Sequence, residues 1–249
     1  MKRPILTTLA VLFSFALPAM AFELDQMSNT ERDMFRAEIR AYLLENPEVI
    51  MEAVDVLKSR QARQDAENDR LLVKANVEAL FRDGYSWVGG NPEGDITLVE
   101  FMDYQCGYCR KAFDEVNELI NSDGNIRFIV KEFPILGPQS TLSARFAVAT
   151  QLLEGDAAYE AIHTALMTYN GEVNEVSLTR LAEPLGLAAD KILAHMDSED
   201  VSRILAENRA LGTQMGISGT PSFVMQDQML RGYVPLIGMR QIVEEIRTQ

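Results

Sequence analysis

The chain has 249 residues, 47% of them hydrophobic, with 37 acidic against 23 basic side chains and a formal net charge of −14. An acidic surface of that size repels phosphate backbones and anionic headgroups, and no basic run offsets it, so no nucleic-acid partner is expected. Only two cysteines occur, Cys106 and Cys109; a bridge between neighbours so close closes almost no loop, so its reason must be chemical.

The first elements concern export. Lys2 and Arg3 precede an apolar stretch from Ile5 to Leu17, and Pro18 precedes the small-x-small run Ala19-Met20-Ala21. The stretch is too short to span a bilayer, which predicts a cleaved secretory signal over residues 1–21 and a soluble protein beginning at Phe22. Residues 22–83 then read as a helical arm. Phe35, Ile39 and Leu43, then Val49, Ile50, Ala53, Val54 and Leu57, recur at three- and four-residue intervals. Pro47 at a helix start, with Asn46 as its N-cap, divides the run in two. The stripe lapses from Ser59 to Arg70, read as a lever between arm and domain, and resumes through Leu71, Leu72, Val77 and Leu80. Such a stripe must be buried against its own domain or the same arm of another subunit, and the second option makes a homo-oligomer the expectation.

Residues 84–249 read as an α/β domain. Gly84 to Gly94 is turn-rich, Ile96 to Phe101 reads as a buried strand, Lys111 to Ile120 as a helix and Ile126 to Val130 as a second strand. This βαβ unit sets the cysteines at a helix N-terminus. A helical block follows over about 138–215, marked by Leu142, Phe146, Tyr159, Ile162, Leu178 and Ile192 and punctuated by Gly155, Gly171 and Gly186. Strands return at Ser222–Met225 and Met229–Tyr233, and a last helix covers Leu236–Arg247.

In disulfide exchange the thiolate attacks, and a helix N-terminus favours a thiolate. Cys106 is therefore the predicted nucleophile, exposed at the helix start, and Cys109, one turn in, the resolving thiol. A zinc site needs four ligands, and His163 and His195 are far apart in sequence, each within a helical pattern; no cofactor is expected. Copper(I) held by the two thiolates is an alternative. Met215, Met225, Met229 and Met239 read as core fillers rather than copper ligands.

Glu100-Phe101-x-Asp103-Tyr104-x-Cys106-Gly107-Tyr108-Cys109, followed by Gly219-Thr220-Pro221-Ser222-Phe223, resembles the DsbA-like branch of the thioredoxin superfamily. The resemblance implies a thioredoxin fold with an inserted helical domain, and a redox-active disulfide between Cys106 and Cys109. Pro221 would be a cis-proline facing the pair, and Thr220 would offer its backbone to a client peptide. Glu100 and Lys131 would form a charged pair beneath the site, and Gly107-Tyr108 would tune the thiol. The arm from Glu31 to Gln61, with Glu45-Asn46-Pro47-Glu48-Val49-Ile50, resembles the N-terminal region of the ScsC-like, suppressor-of-copper-sensitivity, group. That likeness implies an oligomer, a trimer, and disulfide isomerisation. Exported proteins with cysteines would be the clients in the periplasm. The membrane redox partner would be a DsbD-type reductase for an isomerase and a DsbB-type protein for an oxidase. Several sites around a shared cavity favour isomerisation through effective concentration. Dithiol oxidase, copper tolerance through copper(I) binding and non-catalytic client holding are the alternatives.

Overall fold

The computed structural model describes residues 27–248, so the signal read over residues 1–21 lies outside the described residues. The chain divides into two compact units that meet between Ser59 and Arg60. In the first, helix α1 (Asn29–Glu45) begins with a capping box: Glu31 N–H donates to the Ser28 hydroxyl, and Ser28 N–H donates back to the Glu31 carboxylate. It ends where the Asn46 backbone N–H and its side-chain amide both donate to Tyr42 O. Asn46 therefore closes α1 instead of capping the next helix, because its amide reaches back to a carbonyl that the helix end leaves free. Helix α2 (Glu48–Ala75) starts directly after Pro47. It runs unbroken through Ser59–Arg70. That stretch lost its apolar stripe but consists mostly of residues that tolerate a helix, and it gains bonds from Gln61 to Asp65 (2.8 Å) and Gln64 to Asn68 (3.2 Å).

The second unit holds a five-stranded sheet in the order β1-β3-β2-β4-β5. Its strands are β1 (Val88–Gly90), β2 (Ile96–Met102), β3 (Ile126–Glu132), β4 (Ser222–Met225) and β5 (Gln228–Arg231). β2 and β3 run parallel, with Glu100 opposite Val130 and Met102 opposite Glu132; the other pairings are antiparallel. β1 falls inside the stretch that sequence alone reads as turns. Its Gly90 has φ +66°, and a Cβ there would lie 2.4 Å from Ile126 O, so only glycine fits. Between β2 and β3 lies α4 (Gly107–Asp123), closed by Gly124 in the left-handed region.

Strand alternation gives the sheet two buried faces. Leu98, Met102, Phe128, Val130, Phe223 and Met225 face one core with Ala112, Val116 and Leu119 of α4. That core continues into the helices inserted between β3 and β4: α5 (Pro138–Glu154), α6 (Asp156–Thr168), α7 (Glu175–Ala182), α8 (Ala189–His195) and α9 (Glu199–Gln214). The last helix, α10 (Leu236–Arg247), adds Met239 and Val243. Val99, Phe101, Ile129 and Val224 face a second core with Leu211 and Met215. This second face also takes Val73 at the end of α2 and Leu80 of α3 (Val77–Phe81), so the last turns of α2 and the short α3 cover that face. The result is a thioredoxin fold with a helical insertion, preceded by a helical N-terminal region.

Candidate active site

The site is built where β2 ends and α4 begins. Cys106 occupies the N-cap position, in an extended conformation, and its carbonyl accepts the first helical hydrogen bond from Arg110 N–H at 3.1 Å. Gly107 opens the helix with free space around it, and Tyr108 is 62% exposed. Cys106 itself is only 7% exposed, which corrects the expectation of an open nucleophile. The covering segment includes the loop before β4. Cys106 Sγ lies 3.1 Å from Thr220 O, the Thr220–Pro221 bond is cis, and Pro221 is buried.

The two thiols differ sharply, and both are present in the reduced form. A hydrogen bond from Cys109 is the largest influence on Cys106 and lowers its pKa. Burial opposes it, while the Thr220 side chain and the N–H groups of Cys109 and Tyr108 reinforce it, and the net result is about 5. The backbone donors are the unpaired N–H groups of a helix start. Thr220 Oγ1 has no hydrogen-bond partner among the described residues, which leaves it available to a thiolate. Cys109 has no exposed surface; burial, its bond to Cys106 and the charge of Glu100 push its thiol far up. One residue is thus a thiolate at neutral pH and the other a protonated thiol. An attack by Cys106 followed by resolution from Cys109 requires that division.

Glu100 and Lys131 are both buried, but they do not pair. Glu100 alternates with Leu98 and Met102 on the α4 face, whereas Lys131 alternates with Ile129 on the opposite face. Lys131 Nζ instead donates to Ala79 O at 2.7 Å and pairs with Asp83. Glu100 is left with Oε1 unpartnered among the described residues. Burial, with the charge of Cys106 adding, pushes its carboxyl up to about 8. Mostly protonated near neutrality, it can relay the proton that Cys109 must release when the disulfide forms, giving up its own as it accepts that one.

Three supporting features carry no sequence signal beyond their place in or near the cysteine motif. Asp103, 1% exposed, accepts from Gln105 N–H at 2.8 Å, Ile135 N–H at 2.7 Å and Leu136 N–H at 3.0 Å, tying the turn before Cys106 to the segment after β3. Glu115 of α4 accepts from the Tyr233 hydroxyl and from Leu236 N–H, both at 2.6 Å, which fastens α10 beside the helix that carries the cysteines. Glu132 ends β3 as a buried carboxyl, where the sequence shows only one more acid at a strand end. His163 is buried among aromatic rings. Among the described residues, no group of three or more His, Cys, Asp or Glu side chains comes together as a metal site.

Comparison with known proteins bears on this geometry. The DSBA-like thioredoxin domain family matches residues 97–244, and the copper resistance protein ScsC N-terminal domain matches residues 31–64. A thioredoxin-like oxidoreductase from Silicibacter pomeroyi DSS-3 is 40% identical, with 69% of this chain and 98% of that one covered at a TM-score of 0.65. BcfH from Salmonella enterica Typhimurium is 27% identical, with 86% and 95% covered at a TM-score of 0.70. Among curated relatives, a Na(+)/H(+) antiporter NhaA 1 from Salinispora arenicola is 30% identical over 148 residues, and this chain spans 22% of its length. Taken with the strand order, the inserted helices and the paired cysteines at the start of α4, these matches show that the chain belongs to the DSBA-like thioredoxin family.

Proposed function

We propose that the protein is a periplasmic thiol–disulfide oxidoreductase acting chiefly as a disulfide isomerase on exported proteins. The observation that carries the redox reading is the asymmetry of the two sulfurs. Cys106 is held as a thiolate at a helix N-terminus, and Cys109 is a buried, protonated thiol behind it. In this reading Cys106 Sγ attacks one sulfur of a client disulfide, forms a mixed disulfide and releases the other client sulfur as a thiolate. A different client thiolate then attacks the mixed disulfide, giving a new client pairing and regenerating the Cys106 thiolate. When rearrangement stalls, Cys109 attacks Cys106 Sγ. The client leaves reduced, the Cys106–Cys109 disulfide forms, and the Cys109 proton ends on the released client thiolate, with the protonated Glu100 carboxyl as a relay. The extended client lies along Thr220 and Pro221, beside the sulfur.

The N-terminal region supports isomerisation over simple oxidation. Phe35, Ile39 and Tyr42 of α1 recur at helical spacing and are exposed, as are Ile50, Met51 and Leu57 of α2. No residue of α1 is buried. A row of that kind suits association with further copies, and several thiolates facing one client raise the effective concentration of attack. A trimer is the proposed assembly. A DsbD-type membrane reductase would keep it reduced; a DsbB-type partner would serve the oxidase alternative.

Reactivation of scrambled ribonuclease, by protein starting at Phe22 and by protein starting at Arg60, tests the reading, with subunit number measured by sedimentation. The longer protein is expected to be oligomeric and to reactivate the substrate at least several-fold faster. If neither form reactivates it while both oxidise reduced ribonuclease, the protein is an oxidase. Activity in neither assay, with stoichiometric copper(I) binding, assigns the sulfurs to copper tolerance.

A further inference from the structure

Beneath the active-site turn lies a polar cluster that the exchange chemistry does not use. The hydroxyls of Tyr104 and Tyr159 each donate to Glu132 Oε1 at 2.7 Å. Tyr104 Oη also meets His163 Nδ1 at 2.9 Å. With the Tyr104 proton donated to Glu132, that second bond needs a proton on His163 Nδ1, and burial, which lowers the ring's pKa to about 4, keeps the ring neutral. The rings enclose the cluster: Tyr159 stacks on His163 at 5.6 Å, Phe113 of α4 lies 5.6 Å from His163, and Trp87 lies 5.7 Å from Tyr159. Four parts of the fold therefore meet at Glu132, two of them through its carboxyl and one through its backbone carbonyl. Tyr104 comes from the active-site turn, Tyr159 and His163 from α6, and Glu132 from the end of β3. Asn208 of α9 donates to Glu132 O at 3.1 Å.

Stability alone does not account for this arrangement. Glu132 is 3% exposed, its Oε2 has no hydrogen-bond partner among the described residues, and a buried polar atom without a partner is unfavourable. Burial is the largest influence on its carboxyl, opposed by the two tyrosines and reinforced by the charge of Asp103, and it raises the pKa to about 8. The groups around it are Asp103 and Tyr104 from the turn, Glu100 from the same face of β2, Tyr159 and His163 from α6 and Asn208 from α9; none is a cation. Apolar side chains at these places would avoid the penalty. The cluster supplies a fixed position for Tyr104 instead. Tyr104 lies two residues before Cys106, its carbonyl accepts from Arg110 Nε at 2.8 Å, and Cys106 N–H closes the turn on Asp103 O at 3.0 Å. The Tyr104 hydroxyl is thus an inner anchor of the turn, as Asp103 is the outer one.

We propose that Glu132 is a positioning residue for the thiol chemistry. Through Tyr104 it holds the turn that sets Cys106 against the start of α4 and Thr220, and through Tyr159 and His163 it fixes that turn to the inserted helices. The role rests on the reading of Cys106 as the attacking thiol. Hydrogen bonds to a thiolate depend on sub-ångström placement, so loss of the inner anchor shows in the ionisation of Cys106.

The test measures that ionisation by ultraviolet thiolate absorbance across pH, and the rate of exchange with glutathione disulfide, in the reduced protein and three variants. Tyr104→Phe removes only the hydroxyl, and Glu132→Leu removes the shared acceptor. Both are expected to raise the Cys106 midpoint, the second by about one unit, which cuts the thiolate fraction roughly tenfold near pH 4 and slows exchange there, with little change near neutrality. Glu132→Gln keeps an oxygen for both phenols and is expected to retain the wild-type midpoint, which a general loss of packing would not do. Should Glu132→Leu fold poorly by circular dichroism, Tyr104→Phe decides. An unchanged Cys106 midpoint in the folded variants overturns the proposal. A wild-type protein that does not exchange with glutathione disulfide overturns the redox reading instead, and the ionisation comparison still decides the role of Glu132.

Discussion

At the scale of single residues, the chemistry rests on one charge held in two places by turns. In the reduced protein the negative charge sits on Cys106, where the Cys109 thiol and the N–H groups of the helix start hold it, and Glu100 keeps its proton in the same buried space. Forming the disulfide removes the thiolate charge, and the Cys109 proton leaves with the released client sulfur. Burial is the main reason that the Glu100 carboxyl titrates near 8, and the Cys106 charge adds to it. Oxidation removes that second influence, so the Glu100 midpoint is expected to fall by up to about one unit on disulfide formation. Carboxyl-carbon NMR of both redox forms, with Glu100→Gln to assign the signal, measures it. Equal midpoints would mean that the sulfur and the carboxyl do not sense one another, and proton transfer between them would lose its support.

Among the elements, the two faces of the sheet decide which buried charges can serve the site. Glu100 and Lys131 both read from sequence as charges near strand ends, and their resemblance-based pairing ignored parity. In the parallel register Glu100 lies opposite Val130, so Lys131 points to the other face. There it meets Asp83, which the sequence shows only as an acid before a glycine. Lys131→Met is therefore expected to lower stability in urea by about 3 kcal/mol, because Asp83 is left nearly buried without its cation. The Cys106 midpoint is expected to stay where it is. A shift of that midpoint would mean that the lysine reaches the sulfurs despite lying on the far face. The same elements show what a sequence can reveal. Ile96 to Phe101, Ser222 to Met225 and Leu236 to Arg247 stand out because apolar and β-branched runs or helical spacing mark them directly. β1 does not, since Val88-Gly89-Gly90 has strand geometry imposed by pairing with β3. The cysteine pair and Pro221 carry their own short motifs, whereas Glu132, Tyr159 and His163 are joined by tertiary packing across 31 residues of chain, which no local pattern encodes.

For the whole molecule, the reduced and oxidised proteins should differ in how their stability responds to pH. Cys106 titrates near 9 when unfolded and at about 5 in the folded dithiol. Between those values the folded state holds fewer protons, so its stability rises with pH; this contribution is full above about 9 and is lost as pH falls through about 5. Glu100 and Glu132 act in the opposite sense. Each is raised to about 8, so its contribution is present at acidic pH and is lost as pH rises through that value. Those carboxyls exist in both redox forms, and to first order they cancel when the forms are compared. The thiolate exists only in the dithiol. The stability of the reduced form minus that of the oxidised form is therefore expected to grow from pH 5 to pH 9, reaching roughly 2–3 kcal/mol at pH 7 from this source. Urea unfolding of both forms at three pH values measures it, and a flat difference would mean that the folded protein does not favour the thiolate. The consequence reaches the proposed function. A fold that stabilises its own dithiol makes its disulfide easy to give away and its thiolate abundant at neutral pH. An isomerase needs the abundant thiolate, and an oxidase needs the labile disulfide. The active site alone therefore suits both roles, and the proposal of isomerisation rests on the N-terminal helices with their exposed apolar row.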